Sequence, residues 1–214
     1  MEELTLRHIQ GTDKWMTERL GKFTASSSYN LLQNSKCKTD QDFSKGFHSY
    51  LLLKAAEKMS GINREVTSSA MSWGKDMEPE ALNLYQEKTG LEPVEVGFIP
   101  LEGYEEWAGG SPDGAIGEDG LVEVKCPFVS ANHLDAILTK DIPKKSFRRY
   151  YTQIQFNLWV TKRKWCDYIS FDPRVTGNKI FIKRIERDDK YIIELEKRLI
   201  LAIEEYKKLL EKLQ

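Results

Sequence analysis

Two acids and one amine carry the chemistry this chain can offer: Asp113 in Gly109-Gly110-Ser111-Pro112-Asp113-Gly114, then Glu123 and Lys125 in Glu123-Val124-Lys125-Cys126-Pro127. Strand side chains alternate between faces, so Glu123 and Lys125, two apart in what reads as a strand from Leu121 to Cys126, point the same way. Gly117-Glu118-Asp119-Gly120 is turn chemistry, which predicts a hairpin bringing Asp113 back beside Glu123. The register poses a difficulty. With residues 117 and 120 paired across a regular turn, Asp113 falls opposite Val124 and faces away from Glu123, so a bulge or strand end at Pro112 or Gly114 is needed to turn it inward. Carboxylates and a main-chain carbonyl suit Mg²⁺, which binds through few carboxylates and keeps several waters. Such an ion polarises a phosphate, and a lysine beside it orients or deprotonates the attacking water. The chemistry suited to such a trio is phosphodiester hydrolysis. An isolated Glu-x-Lys strand is usually only a solvated face with an ion pair, so the trio needs support from the rest of the chain.

The elements that must position these residues read as follows. Gly11 to Leu20 is a short helix entered at Thr12 or Asp13, and Thr24 to Leu32 is a second with Thr24 or Ser26 as N-cap. Free N–H groups at such a helix start can hold a phosphate, with Arg19 reinforcing it, although capping explains the serines as well. Asn34 to Lys45 is a polar loop. Helices follow over Gly46 to Ser60, closed by Gly61, and Met71 to Thr89, closed by Gly90, where Glu78 borders a stripe of Trp73, Met77, Ala81, Leu84, Tyr85 and Lys88. Val94 to Pro100 and Tyr104 to Ala108 look like strands, and Ser130 caps a helix to about Lys140. In the helix from Ser146 to Val160, Phe147, Tyr151, Ile154 and Leu158 form the core stripe, while Tyr150, Gln153 and Asn157 lie on an adjacent strip able to face the cleft. Trp165 to Phe171 and Lys179 to Ile185 form an antiparallel pair. A last helix from Asp188 repeats apolar residues at three and four, and packs on its own domain more often than on a partner.

Composition bounds the function. With 214 residues and net charge −1, the chain is one domain and no generic basic DNA binder, although Lys140, Lys144, Lys145, Arg148 and Arg149, then Lys162-Arg163-Lys164, localise positive charge. Three scattered cysteines suit a reducing compartment, three scattered histidines show no zinc spacing, and neither a signal peptide nor an 18-residue apolar run is visible. A cytoplasmic protein with no membrane contact is expected.

Several ordered blocks add specificity. Arg19-Leu20-Gly21-Lys22-Phe23-Thr24-Ala25-Ser26, Trp73-Gly74-Lys75-Asp76-Met77-Glu78, Ser111-Pro112-Asp113-Gly114, Glu123-Val124-Lys125-Cys126-Pro127-Phe128, Tyr150-Tyr151-Thr152-Gln153-Ile154-Gln155, Trp159-Val160-Thr161, Phe171-Asp172-Pro173-Arg174 and Ile185-Glu186-Arg187-Asp188 together resemble the phage lambda exonuclease, or YqaJ-type viral recombinase, group of the PD-(D/E)xK nucleases from about Trp15 to Lys190. The resemblance implies an α/β restriction-endonuclease-like fold, a central mixed twisted sheet of about five strands flanked by helices. One nuclease domain over 1–214 is expected, with a catalytic core at 73–186, DNA-binding N-terminal helices at 12–60 and a C-terminal helix at 188–214. It implies Mg²⁺, with Mn²⁺ as a substitute, held by Asp113, Glu123, the Val124 carbonyl and Glu78, with Lys125 activating the nucleophile and Gln153 steadying it. Arg19, Ser26, Ser111 and Tyr150 would contact DNA, the first two at a 5′ phosphate. The implied activity is 5′-to-3′ digestion of one strand of linear duplex by a ring-shaped homotrimer, leaving 3′ tails for a single-strand annealing protein. An internally cutting endonuclease of the same superfamily and a non-catalytic DNA-end-binding module are the alternatives.

Overall fold

The computed structural model describes residues 10–32, 43–63 and 68–214, so the loop expected from Asn34 lies outside the described residues as far as 42. Four strands make the sheet that matters most: β4 (Gly114–Ile116), β5 (Gly120–Lys125), β6 (Trp165–Phe171) and β7 (Ile180–Glu186). They lie in that order, antiparallel, parallel and antiparallel. Strands β5 and β6 are covered on both faces, as expected where a parallel pair is flanked by helices. On one face Val122, Val124, Ile169 and Phe171 pack with Ala81 and Tyr85 of helix α3 (Ser69–Thr89). On the other, Leu121, Cys166 and Tyr168 join the core containing Ile154, Phe156 and Leu158 of helix α5 (Lys144–Thr161). The alternation that aims Val122 and Val124 at α3 therefore aims Glu123 at α5.

The remaining strands form a separate three-stranded sheet in which β3 (Ala108–Gly110) lies between β1 (Phe23–Thr24), parallel, and β2 (Ile99–Pro100), antiparallel. Here the expectation of one sheet of about five strands is corrected in detail. Of the strand expected over Val94 to Pro100, Val94 makes only an isolated bridge to Ala115. Tyr104 to Trp107 is not strand but consecutive turns, Tyr104 N–H donating to Leu101 O at 2.9 Å and Trp107 N–H to Tyr104 O at 2.8 Å. Gly109 permits the tight strand contact, because a Cβ there would stand 2.5 Å from the Ile99 carbonyl oxygen.

Helix α1 (Asp13–Arg19) starts as predicted, the Thr12 hydroxyl accepting from Trp15 N–H. Ala25–Leu31 is 3-10 rather than α-helical, and Thr24 makes no side-chain cap bond. Its polar side chains bond locally, Ser28 Oγ to Ala25 O at 2.7 Å and Asn30 Nδ2 to Ser27 O at 3.0 Å, the competition that disfavours a regular α-helix. Helix α2 (Lys45–Ser60) ends at Gly61 and α3 at Gly90, both left-handed. In α4 (Ser130–Thr139) Ser130 is the first helical residue and not the cap; Val129 holds that position without a side-chain bond. Helix α6 (Asp189–Leu213) buries Ile192, Leu195, Leu199, Ala202 and Tyr206 within its own chain. No helix among the described residues is long and apolar enough to cross a membrane.

Candidate active site

The hairpin resolves the register difficulty. Ile116 pairs with Gly120 and Gly114 with Val122, so the loop has three residues, Gly117 to Asp119, with Gly117 left-handed at φ +51°. This is one residue away from the pairing of 117 with 120, and one residue reverses every side chain. In this register Asp113 falls level with Glu123, and of the two devices expected, a bulge or a strand end, the structure has the strand end: β4 begins at Gly114 and Asp113 lies in a bend just before it. Asp113 Oδ2 accepts from Val124 N–H at 2.7 Å. Arg163 holds the loop: its buried guanidinium donates from Nη1 to the carbonyls of Ile116, Gly117 and Gly120 at 3.1, 2.9 and 2.6 Å.

Glu123 is fully buried and its oxygens are all engaged. Lys125 Nζ and Gln153 Nε2 each lie 2.5 Å from Oε1, and Asn157 Nδ2 donates to Oε2 at 3.2 Å. The strip Tyr150, Gln153, Asn157 of α5 therefore does face the site, and the Tyr150 ring centre is 5.2 Å from Lys125 Nζ. Burial, then the Asp113 charge, pushes Glu123 up to about 7. Burial, then Asp113, pushes Glu78 up to about 8. Asp113 is raised by burial, against the pull of Lys125. Burial pulls the Lys125 ammonium down, but Glu123 and Asp113 outweigh it and the net shift is upward. Carboxylate charge thus exceeds the one amine that offsets it.

Two cavities meet at Asp113. One, about 280 Å³, is lined by Glu78, Asp113, Val124, Lys125, Arg149 and Tyr150 among others. The second, about 150 Å³, is lined by Arg19, Ser26, Ser111, Asp113 and Gln153 with Gln10, Thr24, Ala25 and Phe98. Arg19 lies over the Trp15 ring at 3.8 Å, and Trp15 Nε1–H donates to Ser111 Oγ at 3.0 Å. Each residue that the resemblance assigns to the metal, the chemistry or the DNA thus lines one of the two cavities, except Glu123, which is buried and lines neither. Among the described residues no three His, Cys, Asp or Glu side chains close around an ion unaided. The donor set still fits a hard divalent ion that completes its shell with water and substrate, because it is made of carboxylates and a main-chain carbonyl whose acids are held above their usual range by burial first and by one another's charge second.

Asn157, Arg163 and Trp15 join the site without having been assigned to it. Asn157 was visible on the right strip of α5. Arg163 was hidden in the run of cations Lys162-Arg163-Lys164, and nothing in the sequence nominated Trp15.

The family model described as "YqaJ-like viral recombinase domain" matches residues 14–164, most of the chain. The chain belongs to that family. A YqaJ-like domain should share its fold with solved nucleases, and this one does. It is similar to an alkaline exonuclease, LHK-Exo, from Laribacter hongkongensis, at 32% identity and TM-score 0.82, with 94% of this chain and 96% of that chain covered. The same enzyme in complex with dAMP gives 33% and 0.83 over the same coverage. A phage-related exonuclease from Haemophilus somnus 129PT shares the fold at TM-score 0.73 and 18% identity, covering 90% and 96% of the two chains. No curated protein matches the chain. The YqaJ-like domain thus has the mixed α/β nuclease fold expected, with Asp113, Glu123 and Lys125 gathered at one end of β5.

Proposed function

We propose that this YqaJ-like domain is a Mg²⁺-dependent exonuclease that digests one strand of linear double-stranded DNA from 5′ to 3′, leaving 3′ single-stranded tails for annealing-type recombination. One observation supports this most: Asp113 lines one cavity with Glu78 and Lys125 and a second with Arg19, Ser26 and Ser111, so a pocket suited to a phosphate adjoins the hydrolytic centre. A terminal phosphate held there would present the neighbouring linkage to Asp113. Similarity to LHK-Exo, described as an alkaline exonuclease, agrees with this.

Glu78, Asp113 and the Val124 carbonyl would hold the cation, with Glu123 in support; when bound, it polarises the scissile phosphate as a Lewis acid. Lys125 orients the attacking water. As an ammonium held high by Glu123 and Asp113 it donates hydrogen bonds, and it can take a proton only when that negative charge is relieved. Gln153 and Asn157 fix Glu123 from α5 and keep the lysine in line. Arg19, Ser26 and Ser111 bind the end phosphate, and Tyr150 contacts the strand beside Lys125. Mn²⁺ should substitute for Mg²⁺. A homotrimeric ring around DNA would account for duplex binding by a chain of net charge −1, and the setting would be the cytoplasm of a bacterial host, with a single-strand annealing protein as partner.

Linear duplex labelled at either the 5′ or the 3′ terminus, beside a covalently closed circle, tests the proposal with Mg²⁺ or EDTA. The 5′ label should be released first, the circle should stay intact, and EDTA should stop the reaction. First release of the 3′ label would reverse the polarity, and a cut circle would favour the endonuclease.

A further inference from the structure

The cations between Lys140 and Arg149 separate in the structure. Arg148 turns to the 3-10 segment, donating from Nη2 to Leu32 O at 2.7 Å and Tyr29 O at 3.5 Å. Arg149 lies one turn before Gln153 on α5, so the two share a helix face. It lines the larger cavity with Glu78, Asp113, Lys125 and Tyr150. Its guanidinium carbon is 5.8 Å from the Tyr29 ring centre and 6.0 Å from that of Tyr150, two aromatic walls that hold a planar cation over the opening. Arg149 takes part in none of the ion pairs among the described residues. Lys125, the other cation of that cavity, is already committed to Glu123 at 2.5 Å.

Charge decides what Arg149 is for. Glu78, Asp113 and Glu123 oppose one ammonium, and a divalent ion brings that group only to neutrality. A phosphodiester entering the cavity adds a further negative charge, and Arg149 is the cation there with no carboxylate to satisfy. Its guanidinium fork matches phosphate oxygens, and its exposure means little water need be stripped on binding. We propose that Arg149 binds a non-bridging oxygen of the scissile phosphodiester. This rests on the nuclease reading above and adds to it a contact that neither the resemblance nor the spacing of the acids supplies.

The test compares wild type, Arg149→Ala and Arg149→Lys on linear duplex whose first 5′ linkage is either natural or an uncharged methylphosphonate. DNA affinity is measured against salt with Ca²⁺ in place of Mg²⁺, and kcat with Mg²⁺ on the natural duplex. Arg149→Ala should flatten the slope of log affinity against log salt by about 0.7–0.9. It should weaken binding of the natural duplex about 10-fold or more and lower kcat about 100-fold. It should cost nothing on the methylphosphonate duplex, and Arg149→Lys should restore the salt slope. An unchanged slope, or equal loss on both linkages, overturns the proposal. If wild type binds natural duplex but never cuts it, the nuclease reading itself fails, and the kcat expectation fails with it.

Discussion

Glu123 is the residue on which the others converge: Lys125 and Gln153 reach one of its oxygens and Asn157 the other, with Glu123 itself fully buried. A buried carboxylate with its donors in place is oriented, and one that loses a donor has a free oxygen to rotate. Asn157→Ala should therefore raise the Mg²⁺ concentration for half-maximal activity by about 10- to 100-fold, as other supporting residues of metal sites do, with little change in DNA affinity; a Mg²⁺ titration of cleavage measures it, and an unchanged midpoint would make Asn157 a packing residue only. The sequence made Asp113, Glu123 and Lys125 legible because residue type and spacing nominate them and the ordered blocks around them add the specificity that a Glu-x-Lys pair lacks. It did not show that Glu123 lies beneath the cavities rather than on their walls, since enclosure comes from α5, folded across from a position some thirty residues away.

At the scale of elements, the hairpin β4–β5 converts sequence into a site. Its loop length decides by a single residue whether Asp113 faces Glu123, and the glycines at 117 and 120 allow either a two-residue or a three-residue loop. Arg163, bonded to three loop carbonyls, braces the three-residue form from outside the hairpin, and local turn chemistry alone leaves both registers open. Arg163→Met removes three charge-assisted bonds and leaves their acceptors buried, at a cost of about 2–4 kcal/mol. Tm should fall by about 5–15 °C, and the surviving folded protein should show weakened Mg²⁺ activation because Asp113 is no longer pinned opposite Glu123. A calorimetric scan and a Mg²⁺ titration of the same variant check both; a lower Tm with normal Mg²⁺ dependence would leave the clamp a stability device alone. Helix α5 was far more legible, because a period of 3.6 over 18 residues separates its core stripe from the strip that faces the site. The strands β1 and β2, two residues each, are too short for any periodicity to reveal.

For the whole molecule, two sheets and the helix between them gather negative charge in one place, and the fold carries that cost. Burial, followed by the Asp113 charge, holds Glu123 up to about 7 and Glu78 up to about 8, above the ordinary Glu value near about 4.3. The folded chain therefore binds more protons than the unfolded chain between about pH 4.5 and 8, so stability without metal falls as pH rises through that window. A cation competes with those protons and stabilises most where they have left. The most direct measurement is thermal unfolding with Mg²⁺ or EDTA at pH 5.5 and pH 9, for wild type and Asp113→Asn. Mg²⁺ should raise the wild-type Tm clearly at pH 9 and little at pH 5.5, and the variant should lose most of the gain; no Mg²⁺ effect at pH 9, or the same effect in Asp113→Asn, would contradict a divalent-cation site built on these carboxylates.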